Sequence, residues 1–365
     1  MIRRLCAMAA LAVSLVACGG RDEPAEPSPP PPPVAPAPPS TYQPAESPTL
    51  AAIRRRGWLS CGVHPELAGF SVRDVKGVWR GFDVDVCRAV AAATLGDANA
   101  VRFRPLSAAE RFAVLKNGDI DILSRNTSWT FSRDVGLGID FPVVTYFDGQ
   151  GFMVRRALNL TSVHELSGAR ICVQAGTDAE QNLADYMRAR AIDYRAVVVE
   201  SEAEARTSYQ SEACDAMSAD LSALAAARTV MNSPTAHVIL PDVISKEPLG
   251  PVVRQDDPAW ADIVRWTVFA LILAEELELR STDVAEAKGL ATVPEARRLL
   301  GVERELGPLL GLRQDWAFQA IRQVGAYDEL FRRNLGEGSA LRLARGLNAR
   351  WNADPPGLLY APPMR

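Results

Sequence analysis

Between residues 58 and 123 the chain alternates strand-like and helix-like segments, and that order leaves few folds open to it. Residues 58–63 read as a strand, 82–95 as a helix with Val86, Val90 and Ala93 on one face, 101–104 as a second strand and 120–123 as a third. Ser107, with Glu110 three positions on, forms a capping box that starts a helix running to Asn117. A β-α-β-α-β order of this kind predicts a parallel sheet covered by helices on both faces.

The pattern then breaks and restarts. Residues 150–154 read as a crossing strand, and 169–174 open a new β-α unit. Gly176, Thr177 and Glu180 predict a second capping box, leading a helix to about Ala191. Residues 194–199, 216–218 and 238–240 are strands, 202–212 and 221–228 helices, and 249–254 a return crossing. Two crossings between lobes make a hinge. Beyond Asp257 the chain is helical in apolar stripes at 260–277, 294–300 and 315–330, and residues 336–351 end in GLNARW.

The N-terminus reads as an export segment. Arg3 and Arg4 precede an apolar run, 5–16, that is too short to span a bilayer. The run LVAC at 15–18 resembles a lipobox, in which Cys18 is lipidated and becomes the mature N-terminus. Residues 19–47 are rich in proline, alanine and serine, a composition that favours extended polyproline II and reads as a tether. With Cys6 and Cys18 set aside, four of the six cysteines remain, an even number in an oxidising compartment. Three pairings are open; Cys61–Cys87 with Cys172–Cys214 puts one staple in each half and is the expected one. The formal charge is −4, or −6 without Arg3 and Arg4 (38 basic against 44 acidic residues), and points to no nucleic acid partner. No Cys–His spacing marks a metal site, and no GxxxxGK[ST] run marks a nucleotide or other cofactor.

Three polar clusters follow predicted strands, where open α/β sheets bind ligands. In GDIDILSRNTSWTFSRD, residues 118–134, an apolar strand runs into a turn crowded with Arg125, Asn126, Thr127, Ser128, Thr130 and Arg133. Two guanidiniums among small donors suit a carboxylate, because the planar fork of arginine matches two oxygens at once. Gly176, Thr177 and Asp178 sit at a helix start, where free backbone N–H groups attract anions. Asp220, just past a strand, suits an ammonium group, although capping of the helix that follows explains it equally well. Phe70 and Trp129 read first as core, and His64 as a surface-loop residue.

The order of these clusters resembles the amino acid-binding proteins of ABC importers, in the general L-amino acid-binding branch. The resemblance runs from about Gly57 to Arg365 and rests on CGVHPELAGFS, GFDVDVCRAVAAA, LSAAERFAVLKNGDIDILSRNTSWTFSRD, YFDGQGFMV, ICVQAGT, SKEPLGPVVRQ, DWAFQAIRQVG, ARGLNARWN and YAPPMR. It implies an α/β, two-lobed type II periplasmic binding protein fold with a central ligand cleft and a helical C-terminal extension. Residues 48–149 and 255–365 would form lobe 1 and 150–254 lobe 2. The carboxylate-clamping arginine falls on Arg133, a ligand-bonding hydroxyl on Ser128, and a further first-lobe contact on Asn126. The helix-start contact falls on Thr177 and Asp178, the ammonium-binding acid on Asp220, and Phe70 would wall the side-chain pocket beside Leu67.

Two departures stand out. Many relatives have a second threonine where this chain has Asp178, which either turns away as a first-turn helix residue or meets a cation. Leu67 removes an aromatic stack that would favour basic ligands. The implied protein is a monomeric, non-catalytic receptor of the periplasm, lipid-anchored, delivering L-amino acids to an inner-membrane permease driven by a cytoplasmic ATPase. A dehydratase-like enzyme on the same fold would need a proton-transferring group, for which Glu66, His64 and Asp178 are available. A ligand-sensing module is the other alternative.

Overall fold

The computed structural model describes residues 46–365. The export segment, Cys18 and nearly all of the tether lie outside the described residues. Helix α1 (Pro48–Arg56) opens the described chain, capped by Ser47, whose hydroxyl accepts from Leu50 N at 3.0 Å and donates to Asp257 at 2.9 Å.

The first sheet begins with β1 (Leu59–Val63). After a hairpin of β2 (Val72–Arg73) and β3 (Trp79–Arg80), α2 (Phe82–Leu95) leads to β4 (Val101–Pro105), and α3 (Arg111–Lys116) to β5 (Ile122–Ser128). Helix α4 (Phe131–Gly136), β6 (Ile139–Asp140) and β7 (Tyr146–Asp148) follow. The second sheet comprises β8 (Gln150–Arg155), β9 (Arg170–Gln174), β10 (Arg195–Val199), β11 (Ala216–Asp220) and β12 (His237–Ile239). Its helices are α5 (Asp178–Ala189), α6 (Glu202–Gln210) and α7 (Leu221–Thr229). Strand β13 (Glu247–Arg254) then pairs antiparallel with β5, β6 and β7. The expected limit of the second lobe at Arg254 is thereby corrected: the chain has rejoined the first sheet by Glu247.

The strand orders are β4-β1-β5-β13-β6 and β10-β9-β11-β8-β12, each with three adjacent parallel strands, then an antiparallel one (β13, β8) that pairs antiparallel in turn with the outermost strand (β6, β12). Parallel strands deliver their C-terminal ends, here Ser128, Gln174 and Asp220, to one edge of each sheet. The two crossings touch each other: Ile244 N donates to the Gln150 carbonyl at 2.9 Å. A Cβ on Gly149 would come within 2.4 Å of the Val243 side chain, so only glycine lets the crossings approach this closely.

Several expectations are corrected. Strand β5 continues through Ser128 instead of ending at Leu123, because β13 supplies backbone partners to Thr127 and Ser128. The Ser107–Glu110 reciprocal bonds form, at 2.8 and 3.3 Å, yet the α-helix starts only at Arg111. Helix α2 is buried well beyond the Val86 stripe, with Val84, Ala91 and Ala92 inaccessible, since C-terminal helices cover its other side. Those helices are α8 (Pro258–Glu276), α9 (Val284–Leu290), α10 (Pro294–Leu299), α11 (Trp316–Val324) and α12 (Tyr327–Asn334). The single expected helix at 315–330 is two, broken at Gly325 with φ +104°. In the GLNARW run Asn348 pairs its amide with Phe147, accepting at 2.7 Å and donating at 3.0 Å, and so holds β7 just before the first crossing.

Disulfides Cys61–Cys87 and Cys172–Cys214 are formed, one tying α2 to β1 and the other β9 to the start of β11. Replacing Cys172 and Cys214 together by alanine releases a 42-residue separation. The denaturant midpoint should fall, by the equivalent of about 4 kcal/mol, and the slope should steepen as the released unfolded chain exposes more surface. An unmoved midpoint would show that this loop is held equally well by packing alone.

Candidate functional site

One cavity lies between the C-terminal strand ends of the two sheets. Arg111, Arg125, Asn126, Ser128 and Arg133 line it from one side. Gln174, Thr177, Asp178, Glu202 and Asp220 line it from the other.

Strand β5 and α4 place the first group. Arg125 is 4 % exposed and its Nε donates to the Leu106 carbonyl at 2.8 Å. Asn126 has φ +30°, a conformation that costs a non-glycine residue energy and recurs at ligand sites. The turned backbone is held by Asp83 at the start of α2, which accepts from Asn126 N at 2.9 Å and Ser124 Oγ at 3.1 Å. Burial raises the Asp83 carboxyl to about 6. Arg133, buried in α4, donates from Nη1 to the Ser128 carbonyl at 3.0 Å, which fixes the orientation of its fork.

The second group comes from strand ends and helix starts. The Gly176–Glu180 capping box does not form as expected. Thr177 Oγ1 donates to the Gln174 carbonyl at 2.8 Å, and Glu180 accepts from Gly176 N at 3.3 Å. Asp178 meets a cation, and that cation is Arg133 itself, in an ion pair that spans the cavity. Burial raises the Asp178 pKa while Arg133 opposes the rise.

Asp220 is the N-cap residue of α7, but its side chain makes no capping bond. Asp148 takes that task, accepting from Ser222 N at 3.2 Å. The Asp220 carboxylate is therefore left facing the cavity. Its pKa is pushed well up by burial and then by Asp148, Glu247, Glu202 and Asp178. A group that must be paid for in this way is poised for a cation.

Seven of the eight expected ligand residues line the cavity together; Phe70 does not. It is 1 % exposed and sits in edge-to-face contact with Phe82 and Tyr146, centroids 6.3 and 5.6 Å away, so it belongs to the core of the first lobe. Leu67, 2 % exposed, is likewise core. His64 is not a surface residue: it is buried, and Nε2 lies 3.7 Å from Glu202 Oε1 of the other lobe. Burial, then Arg125 and Arg111, hold it well below its usual pKa, so it is the neutral imidazole that faces Glu202. Glu66 is exposed.

Sequence reasoning missed Arg111, Gln174, Glu202 and Glu247. A signal existed for Arg111, because a cation in the first turn of a helix opposes the macrodipole and needs another reason to be there. Glu202 carried none, being an ordinary first-turn acid after the N-cap Ser201.

A cleft between two sheets joined by paired crossings, lined by arginines on one wall and carboxylates on the other, defines a two-lobed receptor for a small polar solute. The chain belongs to the bacterial extracellular solute-binding proteins, family 3, which it matches over residues 59–281. It is 50 % identical to the general L-amino acid-binding periplasmic protein AapJ of Rhizobium johnstonii, over 88 % of this chain and 94 % of that one. It is 47 % identical to the glutamate/glutamine/aspartate/asparagine-binding protein BztA of Rhodobacter capsulatus, again over 88 % of this chain and 94 % of the other. A solved ABC transporter periplasmic binding protein from Brucella ovis, with glutathione bound, superposes with TM-score 0.85 at 49 % identity, covering 87 % of this chain and 99 % of that one. The type II periplasmic binding fold and a role as an extracytoplasmic solute-binding receptor follow.

Proposed function

We propose that this protein captures L-amino acids in its cleft and delivers them to an ABC permease of the inner membrane powered by a cytoplasmic ATPase. The carrying observation is the opposition of Arg133 and Asp220 across one cavity, which matches the two charges of a zwitterion. Arg133, Ser128 and the start of α5 hold the α-carboxylate; Asp220 holds the ammonium. Asn126, Thr177 and Arg125 frame the bound molecule. One chain supplies both walls, which favours a monomer. The LVAC run at 15–18 supports lipidation at Cys18, with the following residues as a tether to the membrane.

A catalytic reading on the same fold draws less support. Of its three proton-transfer groups, Glu66 is exposed, His64 is held at Nδ1 by the Glu66 backbone N–H at 3.0 Å, and Asp178 is paired with Arg133. Titration calorimetry on protein unfolded and refolded with its disulfides intact tests the proposal. One-to-one binding of several L-amino acids, lost with a decarboxylated analogue, is the expected result; silence across the panel would overturn it.

The Asp178–Arg133 pair makes a further expectation. The incoming carboxylate competes with Asp178 for the same guanidinium. Asp178→Thr should therefore raise affinity for neutral amino acids by about tenfold, the value of one charge-assisted hydrogen bond. A fall in affinity would mean that closing the lobes through this ion pair matters more than freeing the clamp.

A further inference from the structure

The chain beyond residue 281 lies outside the family match, yet its side chains bond to the strand that enters the first crossing. Among the described residues, that strand, β7, pairs with β13 alone. The N–H and carbonyl of Phe147, at its centre, are taken up not by a strand but by one side chain. The buried Asn348 amide accepts from Phe147 N at 2.7 Å and donates to the Phe147 carbonyl at 3.0 Å. Asn348 is itself held by Arg345, whose Nε donates to the Asn348 carbonyl at 2.8 Å and whose Nη2 pairs with Glu275 at 3.0 Å. Two positions before Phe147, the buried Tyr327 hydroxyl donates to the Thr145 carbonyl at 2.7 Å.

The two residues after Phe147 cap α7. Asp148 accepts from Ser222 N at 3.2 Å, and the Gly149 carbonyl accepts from Leu221 N at 2.8 Å. The first two N–H groups of the helix are thus satisfied from the crossing. An aspartate at an N-cap ordinarily bonds the first turn of its own helix. Asp220 holds that position, makes no such bond, and lines the cavity.

We propose that Asn348 is a positioning residue for the ammonium site: by fixing β7 it keeps Asp148 and Gly149 on the start of α7, and so keeps Asp220 turned toward the ligand. This inference rests on the amino acid-binding reading, in which Asp220 holds the ammonium. Phe147, Asp148 and Gly149 are consecutive, so a strand loosened at the first releases the other two. Without Asn348 the Phe147 groups lose their partners, and Ser222 N becomes free for the Asp220 side chain. Asp220 then acts as a cap in part of the population, and apparent affinity falls with the fraction still competent to bind.

The test is titration calorimetry with L-glutamine on the refolded chain, its Asn348→Ala and Asp220→Asn variants and the double variant. Asn348→Ala should weaken binding about fivefold, the value of one N-cap bond. Its effect should shrink below about twofold once Asp220→Asn is present, because the group it acts through is gone. Asn348→Asp keeps the size and the acceptor for Phe147 N but offers no donor to the carbonyl. It should fall between, and serves if Asn348→Ala does not fold. Proton release on binding should also diminish in Asn348→Ala, since a capping Asp220 is ionised before the ligand arrives. No loss of affinity, equal losses in both backgrounds, or undiminished proton release would overturn the positioning role while leaving the receptor intact. Silence of the native protein toward L-glutamine and the rest of the amino acid panel would overturn both.

Discussion

Replacing Arg133 by methionine is expected to weaken binding of every L-amino acid at least about a hundredfold, whatever its side chain. The guanidinium is buried, its Nη1 donates to the Ser128 carbonyl and pairs with Asp178, and a ligand carboxylate that displaces Asp178 can meet it with two oxygens. Each charge-assisted hydrogen bond contributes about 1.5–3 kcal/mol, and two are lost. Arg133→Lys should fall between, since it keeps the charge and loses the fork. The variant also strands Asp178 without its partner, so the melting temperature must be followed alongside affinity. A loss confined to particular side chains, with α-carboxylate recognition untouched, would assign the clamp elsewhere.

Asp220→Asn should cost nearly as much, by a different route. The substitution keeps size and removes the counter-charge for the ammonium. Breaking one side of a buried charge pair typically costs about 2–5 kcal/mol, a loss of at least about thirtyfold for α-amino ligands. Because burial and the nearby carboxylates raise the Asp220 pKa, the group is protonated over a wider pH range than a free carboxyl. An ammonium favours the ionised form. Binding should therefore release a proton, and affinity should rise as pH climbs through the range in which Asp220 ionises. Calorimetry in buffers of different ionisation enthalpy would show the release in the native protein and its absence in Asp220→Asn. Unaltered affinity and proton release in the variant would leave Asp220 without a ligand role.

Much of the cleft was legible in the residues because the relevant signals are local. Arg133 and Ser128 lie five positions apart. A strand carrying one into a short helix carrying the other needs no distant partner to bring them together. Asp220 was legible as a strand-end acid. Whether it caps α7 or faces the cavity was not, since that depends on Asp148, which reaches the same helix start from β7 across 74 positions. Phe70 failed for a related reason. An aromatic residue near a pocket segment reads the same whether its ring turns to the ligand or, as here, into Phe82 and Tyr146.

What the sequence determined by itself was the alternation that dictates two parallel-centred sheets, the even set of four cysteines, and the residue types available for a zwitterion. Those follow from periodicity, spacing and side-chain chemistry, which act over a few residues. The tertiary structure alone decided which charges meet. Closure of the lobes sets Asp178 on Arg133 and Glu202 on His64, while Phe112 gathers Arg111 and Arg133 on one wall. Coulomb interaction and desolvation depend on distance and burial in space, and neither is written in the order of the residues.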